Sequence, residues 1–333
     1  MNKKLKVAMI GAGNRANSVI YPSFADLRAE GEIDIVGICD IDAARLTATA
    51  DQYAIEKRYG AGGVFDYGKM VEETRPDAAV VIGQPHIMYD IWEWCLGQGL
   101  HLYIEKPFAL SIHQARALQA LAQRKNCVTQ VSFQRRTTPM VMQMRDECLK
   151  RGPITHAFCK FYKCLPEDQL CARDHMMDDC VHSIDTLRWI CGTDSEIVKV
   201  ESATKRVGTV DINFISATLY FDNGAIGYLI NSWVSGKRIF AVEMHAPRIF
   251  AEAEHETKGF LYADGNLEPV VYDAAQCAGS DKFHVATGVY NLARDFVTCC
   301  KNGGKPAANF DDAVKTMHVA ETILAQSLLT EKK

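Results

Sequence analysis

The stretch Val7-Ala8-Met9-Ile10-Gly11-Ala12-Gly13-Asn14-Arg15-Ala16 constrains this chain most, because it is G-x-G-x-x-A placed directly after an apolar, strand-like run. It predicts a strand, a tight turn and a helix within a few residues. Gly11 allows the turn, Gly13 lets a pyrophosphate approach the backbone, and Ala16 permits close helix packing. The helix N-terminus, with Asn14 and Arg15, then faces the phosphates. Arg15 lies over an adenine, beside the pyrophosphate, or in solvent. A second apolar run ends at Asp40, 27 residues after Gly13, where an acid accepts hydrogen bonds from adenine-ribose hydroxyls. Asp40 would repel a 2′-phosphate, Ile41 and Asp42 add no positive charge, and only Arg45, one turn on, offers an offset. The expected cofactor is NAD, with NADP disfavoured.

With 333 residues the chain is long enough for about two domains. Residues 1–135 alternate β-rich runs with amphipathic stretches, the pattern of a parallel sheet with crossover helices. Strands are expected at Leu5 to Ile10, Ile33 to Cys39, Ala78 to Ile82, His101 to Ile104 and Val128 to Phe133. Ser111 and Gln114 form a capping box ahead of Ala115, Leu118 and Ala122 on one helical face. This half reads as doubly wound. Residues 136–333 read as a second domain with strands at Ile154 to Tyr162, Ile197 to Ala203, Phe214 to Phe221, Ala225 to Trp233 and Ile239 to His245. Asp222-Asn223-Gly224 predicts a hairpin turn with positive φ at Asn223 and Gly224, hence antiparallel neighbours. Helix returns after His284, with Asp311 or Asp312 as its cap.

The charge balance excludes some partners. Lys plus Arg total 37 against 41 Asp plus Glu, a net charge of −4, so no global positive field exists to hold a nucleic acid. Lys3, Lys4 and Lys6 imitate a secretory signal, but Asn14 and Arg15 interrupt the apolar run that follows. No stretch is expected to span a membrane, and a cytoplasmic location is expected. Twelve cysteines in a chain this large then read as reduced thiols. Cys148, Cys159, Cys164, Cys171, Cys180 and Cys191 crowd the middle with His175 and His182, but their gaps are too wide and irregular for a zinc site, so no metal is expected.

Glu105-Lys106-Pro107 follows the strand His101 to Ile104, at the carboxyl end where open α/β sheets gather their ligands. Further on stands Asp178-Asp179-Cys180-Val181-His182-Ser183-Ile184-Asp185. In a helix Asp178, His182 and Asp185 share one face, and Asp178 in the first turn is held ionised by the helix dipole. It orients His182 or accepts from a substrate hydroxyl.

These motifs together resemble the Gfo/Idh/MocA family, the relatives of glucose-fructose oxidoreductase and inositol dehydrogenase. The resemblance runs nearly end to end: Gly11-x-Gly13-x-Arg15-Ala16, Cys39-Asp40, Glu105-Lys106-Pro107-Phe108-Ala109-Leu110-Ser111, Phe133-Gln134-Arg135-Arg136 before Pro139, Asp178 and His182 followed by Asp185, and Phe221-Asp222-Asn223-Gly224-Ala225 before Ser232-Trp233. It implies an N-terminal nicotinamide-binding Rossmann domain and a C-terminal α+β domain. The second domain's large, mainly antiparallel open sheet is expected to support a homodimer or homotetramer. It also implies catalysis by Lys106, Asp178 and His182 on a sugar, cyclitol or polyol hydroxyl. The chemistry agrees, since histidine suits proton removal near neutrality and an ammonium stabilises an oxygen becoming a carbonyl. The cofactor set is Gly11, Gly13, Asn14, Arg15, Ala16, Asp40, Gln84, Pro85, Glu105 and Lys106. The substrate set is Lys106, Arg136, Asp178, His182 and His284. Two departures stand out: many relatives read T-P-N-x-x-H where this chain has Gln84-Pro85-His86-Ile87-Met88-Tyr89, and Arg173-Asp174-His175-Met176-Met177 lacks the usual glycine pair. The expected activity is NAD-dependent dehydrogenation of a secondary hydroxyl. Alternatives are a retained-cofactor enzyme that cleaves glycosides by transient oxidation and elimination, and a catalytically silent NAD sensor.

Overall fold

A computed structural model describes residues 3–165 and 175–330, so Cys171, Arg173 and Asp174 lie outside the described residues. The chain divides into two compact units.

The first unit comprises Met1–Ser132 with Val289–Val314, so it draws in a late segment from the range expected of the second domain. Its strands are β1 (Leu5–Ile10), β2 (Ile33–Asp40), β3 (Arg58–Gly60), β4 (Ala78–Val81), β5 (His101–Ile104) and β6 (Thr129–Val131), in the order β3-β2-β1-β4-β5-β6. Every pairing is parallel. Val7, Met9, Ile10, Val80 and Leu102 have no exposed surface, as expected of strands covered on both faces. The three-residue β3 was not expected. The strand order reverses between β1 and β4, and that crevice is where doubly wound sheets hold ligands.

The helix Ile112–Arg124 shows why its start was legible. Ser111 Oγ accepts from the Gln114 backbone N–H at 3.3 Å, and Gln114 Oε1 reaches back to the Leu110 N–H at 3.0 Å. Ala115, Leu118 and Ala122 form the buried face.

The second unit, Phe133–Gly288 with Lys315–Lys333, carries β7 (His156–Cys164), β8 (Ile197–Lys205), β9 (Phe214–Phe221), β10 (Ile226–Ser232), β11 (Val234–Ala246), β12 (Ile249–Glu254), β13 (Lys258–Ala263) and β14 (Val270–Asp273). They order as β14-β13-β12-β11-β7-β10-β9-β8, antiparallel throughout except for the parallel pair β10 and β7. β12, β13 and β14 extend the sheet beyond the strands foreseen. Successive residues of β9 alternate between half-buried and buried, so one face of the sheet packs inward and the other is open.

Two turn details differ from expectation. In the β9–β10 hairpin Gly224 takes a positive φ of 86° but Asn223 does not. The Gly224 N–H bonds Phe221 O at 3.0 Å, the three-residue loop in which a tight turn ends at one left-handed glycine. The helix Phe310–Thr330 is capped by Asn309, whose Oδ1 accepts from the N–H groups of Asp311 and Asp312. The two acids occupy its first turn, where they favour the helix dipole. Among the described residues no helix is long and apolar enough to cross a membrane.

Candidate active site

In the first unit the carboxyl ends of β1, β2, β4 and β5 bring the fingerprint residues together. Gly11 has a φ of 92°, and a Cβ there would stand 1.9 Å from the Ile82 carbonyl oxygen, so only glycine fits the turn. Gly13 differs: a Cβ built on it meets nothing within 4 Å. The space in front of its backbone is open to a ligand rather than filled by protein. After it the chain winds as a π-turn, Ala16–Ile20, into the helix Tyr21–Ala29, and Ala16 is fully buried. Asn14 is exposed at the mouth of this turn.

Asp40 is 4% exposed. One carboxylate oxygen accepts from the Ala12 N–H at 2.6 Å and the other from the Asp42 N–H at 2.7 Å. It thus fastens the glycine-rich loop to the end of β2. Each oxygen keeps a second lone pair for a ribose hydroxyl. Arg45 bonds Asp42 at 3.3 Å. Arg15 donates from Nε to Glu105 Oε1 at 2.8 Å, so its side chain crosses to the end of β5 and ties the fingerprint to the residue before Lys106. Lys106 is half-buried. Gln84 Oε1 is buried without a hydrogen-bond partner at the end of β4, and Pro85 opens the helix Pro85–Gly97. His86 is exposed, and Tyr89 is half-buried with its hydroxyl pKa raised by burial and then by Glu93 and Asp90. An open approach at Gly13, an unpartnered buried carbonyl at Gln84 and an acid at Asp40 fit a dinucleotide.

In the second unit the segment holding Asp178 is helical, as expected, but it opens as a π-turn, Met176–Cys180, before the helix Val181–Cys191. Such turns insert an extra residue and recur at functional sites. Asp178 is half-buried in that first turn, whereas His182 is 5% exposed and meets the edge of the Phe133 ring at 6.1 Å. Asp185 is bound by Arg136, whose Nε donates at 3.0 Å while Nη2 takes the other oxygen, and both side chains are 1% exposed. Arg136, expected at the substrate, anchors the helix that carries His182 through this pair. His284 is largely buried on the short helix Phe283–Ala286. That helix is fixed to the segment after Arg136 through Thr137 to Gly288 O at 2.8 Å and Thr138 to Thr287 O at 3.3 Å.

The cluster around Asp179 was missed. Asp179 Oδ2 accepts from Lys163 at 2.5 Å and from Trp233 Nε1 at 2.8 Å, and His175 stacks on Trp233 at 4.4 Å. The Asp178-Asp179 doublet was the only sequence signal. Burial lowers the His175 pKa; Lys163 lowers it further, while Asp179, Asp178 and Asp211 oppose. Nearby, burial raises Glu256, but Arg238 and Arg135 outweigh it and hold the carboxyl down at about 2. Burial and then Arg135 push His255 well below the usual imidazole range. Cys148, Cys159, Cys180 and Cys191 are buried and Cys164 is exposed. Among the described residues no His, Cys, Asp or Glu group is placed to hold a metal.

Comparison with known proteins agrees with this arrangement. Residues 5–133 match the oxidoreductase family model with an NAD-binding Rossmann fold, and residues 152–247 match the GFO/IDH/MocA C-terminal domain. D-apiose dehydrogenase of Paraburkholderia graminis is 24% identical, over 96% of this chain and 86% of its own. A dehydrogenase from Chromobacterium violaceum superposes with a TM-score of 0.85 at 18% identity, covering 98% of this chain and 96% of that one. Levoglucosan dehydrogenase in complex with NADH and levoglucosan gives 0.83 at 16% identity, covering 99% and 98%. From fingerprint to C-terminal sheet, the chain belongs to the Gfo/Idh/MocA family of NAD-binding oxidoreductases.

Proposed function

We propose that this protein is an NAD-dependent dehydrogenase acting on a secondary hydroxyl of a sugar, cyclitol or polyol derivative. The observation that carries the reading is the presence of both halves of the chemistry on built elements: the open approach at Gly13 with Asp40 tied to the same loop, and a buried His182 four residues after the half-buried Asp178 on an anchored helix. The bound nicotinamide supplies a hydride acceptor. His182 removes the hydroxyl proton, Asp178 orients the imidazole or the hydroxyl, and the Lys106 ammonium stabilises the oxygen as it becomes a carbonyl. Glu105 and Arg15 hold the backbone that presents Lys106. Arg136 acts through Asp185 rather than on the substrate, and His284 contributes to substrate selection.

NAD is preferred over NADP because Asp40 faces the 2′ position and Arg45 is engaged by Asp42. A homodimer or homotetramer forms through the open face of the second sheet. That face carries a ladder of rings, His156 on His245 at 4.1 Å, His245 on Phe250 at 4.6 Å and Phe158 on Tyr228 at 4.6 Å. Turnover of His182→Ala and Lys106→Ala tests the assignment. Each is expected to fall roughly 100-fold or more, with NAD binding preserved in His182→Ala, and near-normal turnover in either would remove that residue from the mechanism.

A further inference from the structure

Asp179 has no part in the chemistry assigned above, yet it is buried beside it at 5% exposure. Its Oδ2 is the meeting point of three elements: Lys163 from β7, Trp233 just after β10, and the π-turn itself. The Lys163 and Asp179 side chains are 24% and 7% exposed, so their charges are weakly screened. The Lys163 ammonium also lies 5.2 Å from the Phe161 ring, and the His175 ring covers Trp233. An exposed ion pair would be unremarkable; this one is enclosed and fixed by an indole N–H.

We infer that Lys163, Asp179 and Trp233 form a positioning and charge-balancing device for the turn that presents Asp178 and His182. The inference rests on the dehydrogenase reading only in naming His182 as the base. Residues three apart on a helix are neighbours, so an unbalanced charge at Asp179 acts on His182 at short range. With the pair intact, Lys163 cancels that charge. Among the described residues the other charged and titratable groups around this turn include Asp178 and His175 on the same segment, Asp211 from the loop before β9, Arg238 from β11 with its partner Glu256, and the mutually bonded Arg136 and Asp185. Among the described residues Lys163 pairs with no second carboxylate.

The sign of each perturbation follows. Lys163→Met leaves a buried negative charge, which favours the imidazolium and moves the His182 titration upward. Asp179→Asn leaves a positive charge and moves it downward. A shift of roughly half to one pH unit is expected in each case. The double variant, neutral at both positions, returns the titration close to wild type, a result that loss of structure alone does not give. Lys163→Arg preserves the charge and leaves the titration in place. Trp233→Phe keeps the ring but removes the donor, and is expected to lower kcat several-fold with KM within about twofold.

The experiment follows histidine ring protons by NMR against pH in the full-length protein without substrate. The His182 signal is identified by its loss in His182→Gln, and the kcat pH profile is recorded in parallel. Opposite shifts in the two single variants, cancelled in the double, support the inference. An unmoved His182 titration in folded Asp179→Asn, the near-isosteric variant, overturns it even if Lys163→Met fails to fold. If the titration shifts as described while His182→Gln retains full turnover, the charge coupling stands and the assignment of His182 as base falls.

Discussion

Replacing Gly13 by alanine separates cofactor recognition from folding. At Gly11 a methyl group would collide with the Ile82 carbonyl at 1.9 Å, and the φ of 92° is itself unfavourable for a side chain. Gly11→Ala should therefore destabilise the protein by roughly 2 kcal/mol or more. At Gly13 the added methyl meets nothing within 4 Å and φ is not in the left-handed region, so the ligand-free stability should change by no more than about 0.5 kcal/mol. That methyl instead fills the approach a pyrophosphate needs, and NAD affinity should fall about 100-fold or more, equivalent to about 2.7 kcal/mol. At NAD equal to 100 times the wild-type Kd, the wild type gains about 2.7 kcal/mol and the variant only about 0.4. For a chain of this size the NAD-induced rise in Tm should collapse from about 4 °C to well under about 1 °C. Thermal melts with and without NAD, together with calorimetric titrations of NAD and NADP, read both quantities. A Gly13→Ala variant with an unchanged NAD-induced shift would refute the placement of the pyrophosphate. Equal or tighter NADP binding in the wild type would refute the role given to Asp40 and make Arg45 a phosphate ligand.

Two further outcomes concern the second unit. Arg136→Met leaves the Asp185 carboxylate buried and stripped of its bidentate partner, and should cost about 3–5 kcal/mol in denaturant unfolding, with much of it recovered in Arg136→Met/Asp185→Leu; a loss below about 1 kcal/mol would show that the pair does not anchor the helix. Glu256 is depressed to about 2, so its stabilisation is fully present above its unfolded value near 4.5 and is lost as pH falls from there toward 2. Glu256→Gln should flatten that part of the stability curve, and an unchanged acid limb would contradict the Arg135–Glu256–Arg238 bridge.

What could be read from the sequence was what local chemistry decides. The turn at Gly11, the box at Ser111 and Gln114, and the crossover pattern of the first half each depend on residues a few positions apart. The strands β3 and β14 are too short to announce themselves, and β12, Ile-Phe-Ala-Glu-Ala-Glu, takes its place from pairing with β11 and β13 rather than from its own composition. Asn309, Asp311 and Asp312 are all good caps, and only the geometry shows that Asn309 serves. The Asn223-Gly224 signal located the hairpin correctly but overstated the turn, since one left-handed residue suffices there. The Arg136 motif is visible in the sequence, but its pairing with Asp185, 49 residues away, is not. Asp179 was in plain view, but Lys163 and Trp233 are brought to it by the sheet, and no spacing in the sequence encodes that meeting.

The central claim is that hydride leaves the substrate and remains on a nicotinamide that departs. Offering the purified enzyme sugars, cyclitols and nitrophenyl glycosides, while recording absorbance at ~340 nm and aglycone release together, tests it most directly. Net NADH should accumulate in step with substrate oxidation, and His182→Ala should abolish it. Aglycone release over many turnovers without net NADH would contradict the claim, because the hydride would then be returning to the sugar from a cofactor that never leaves.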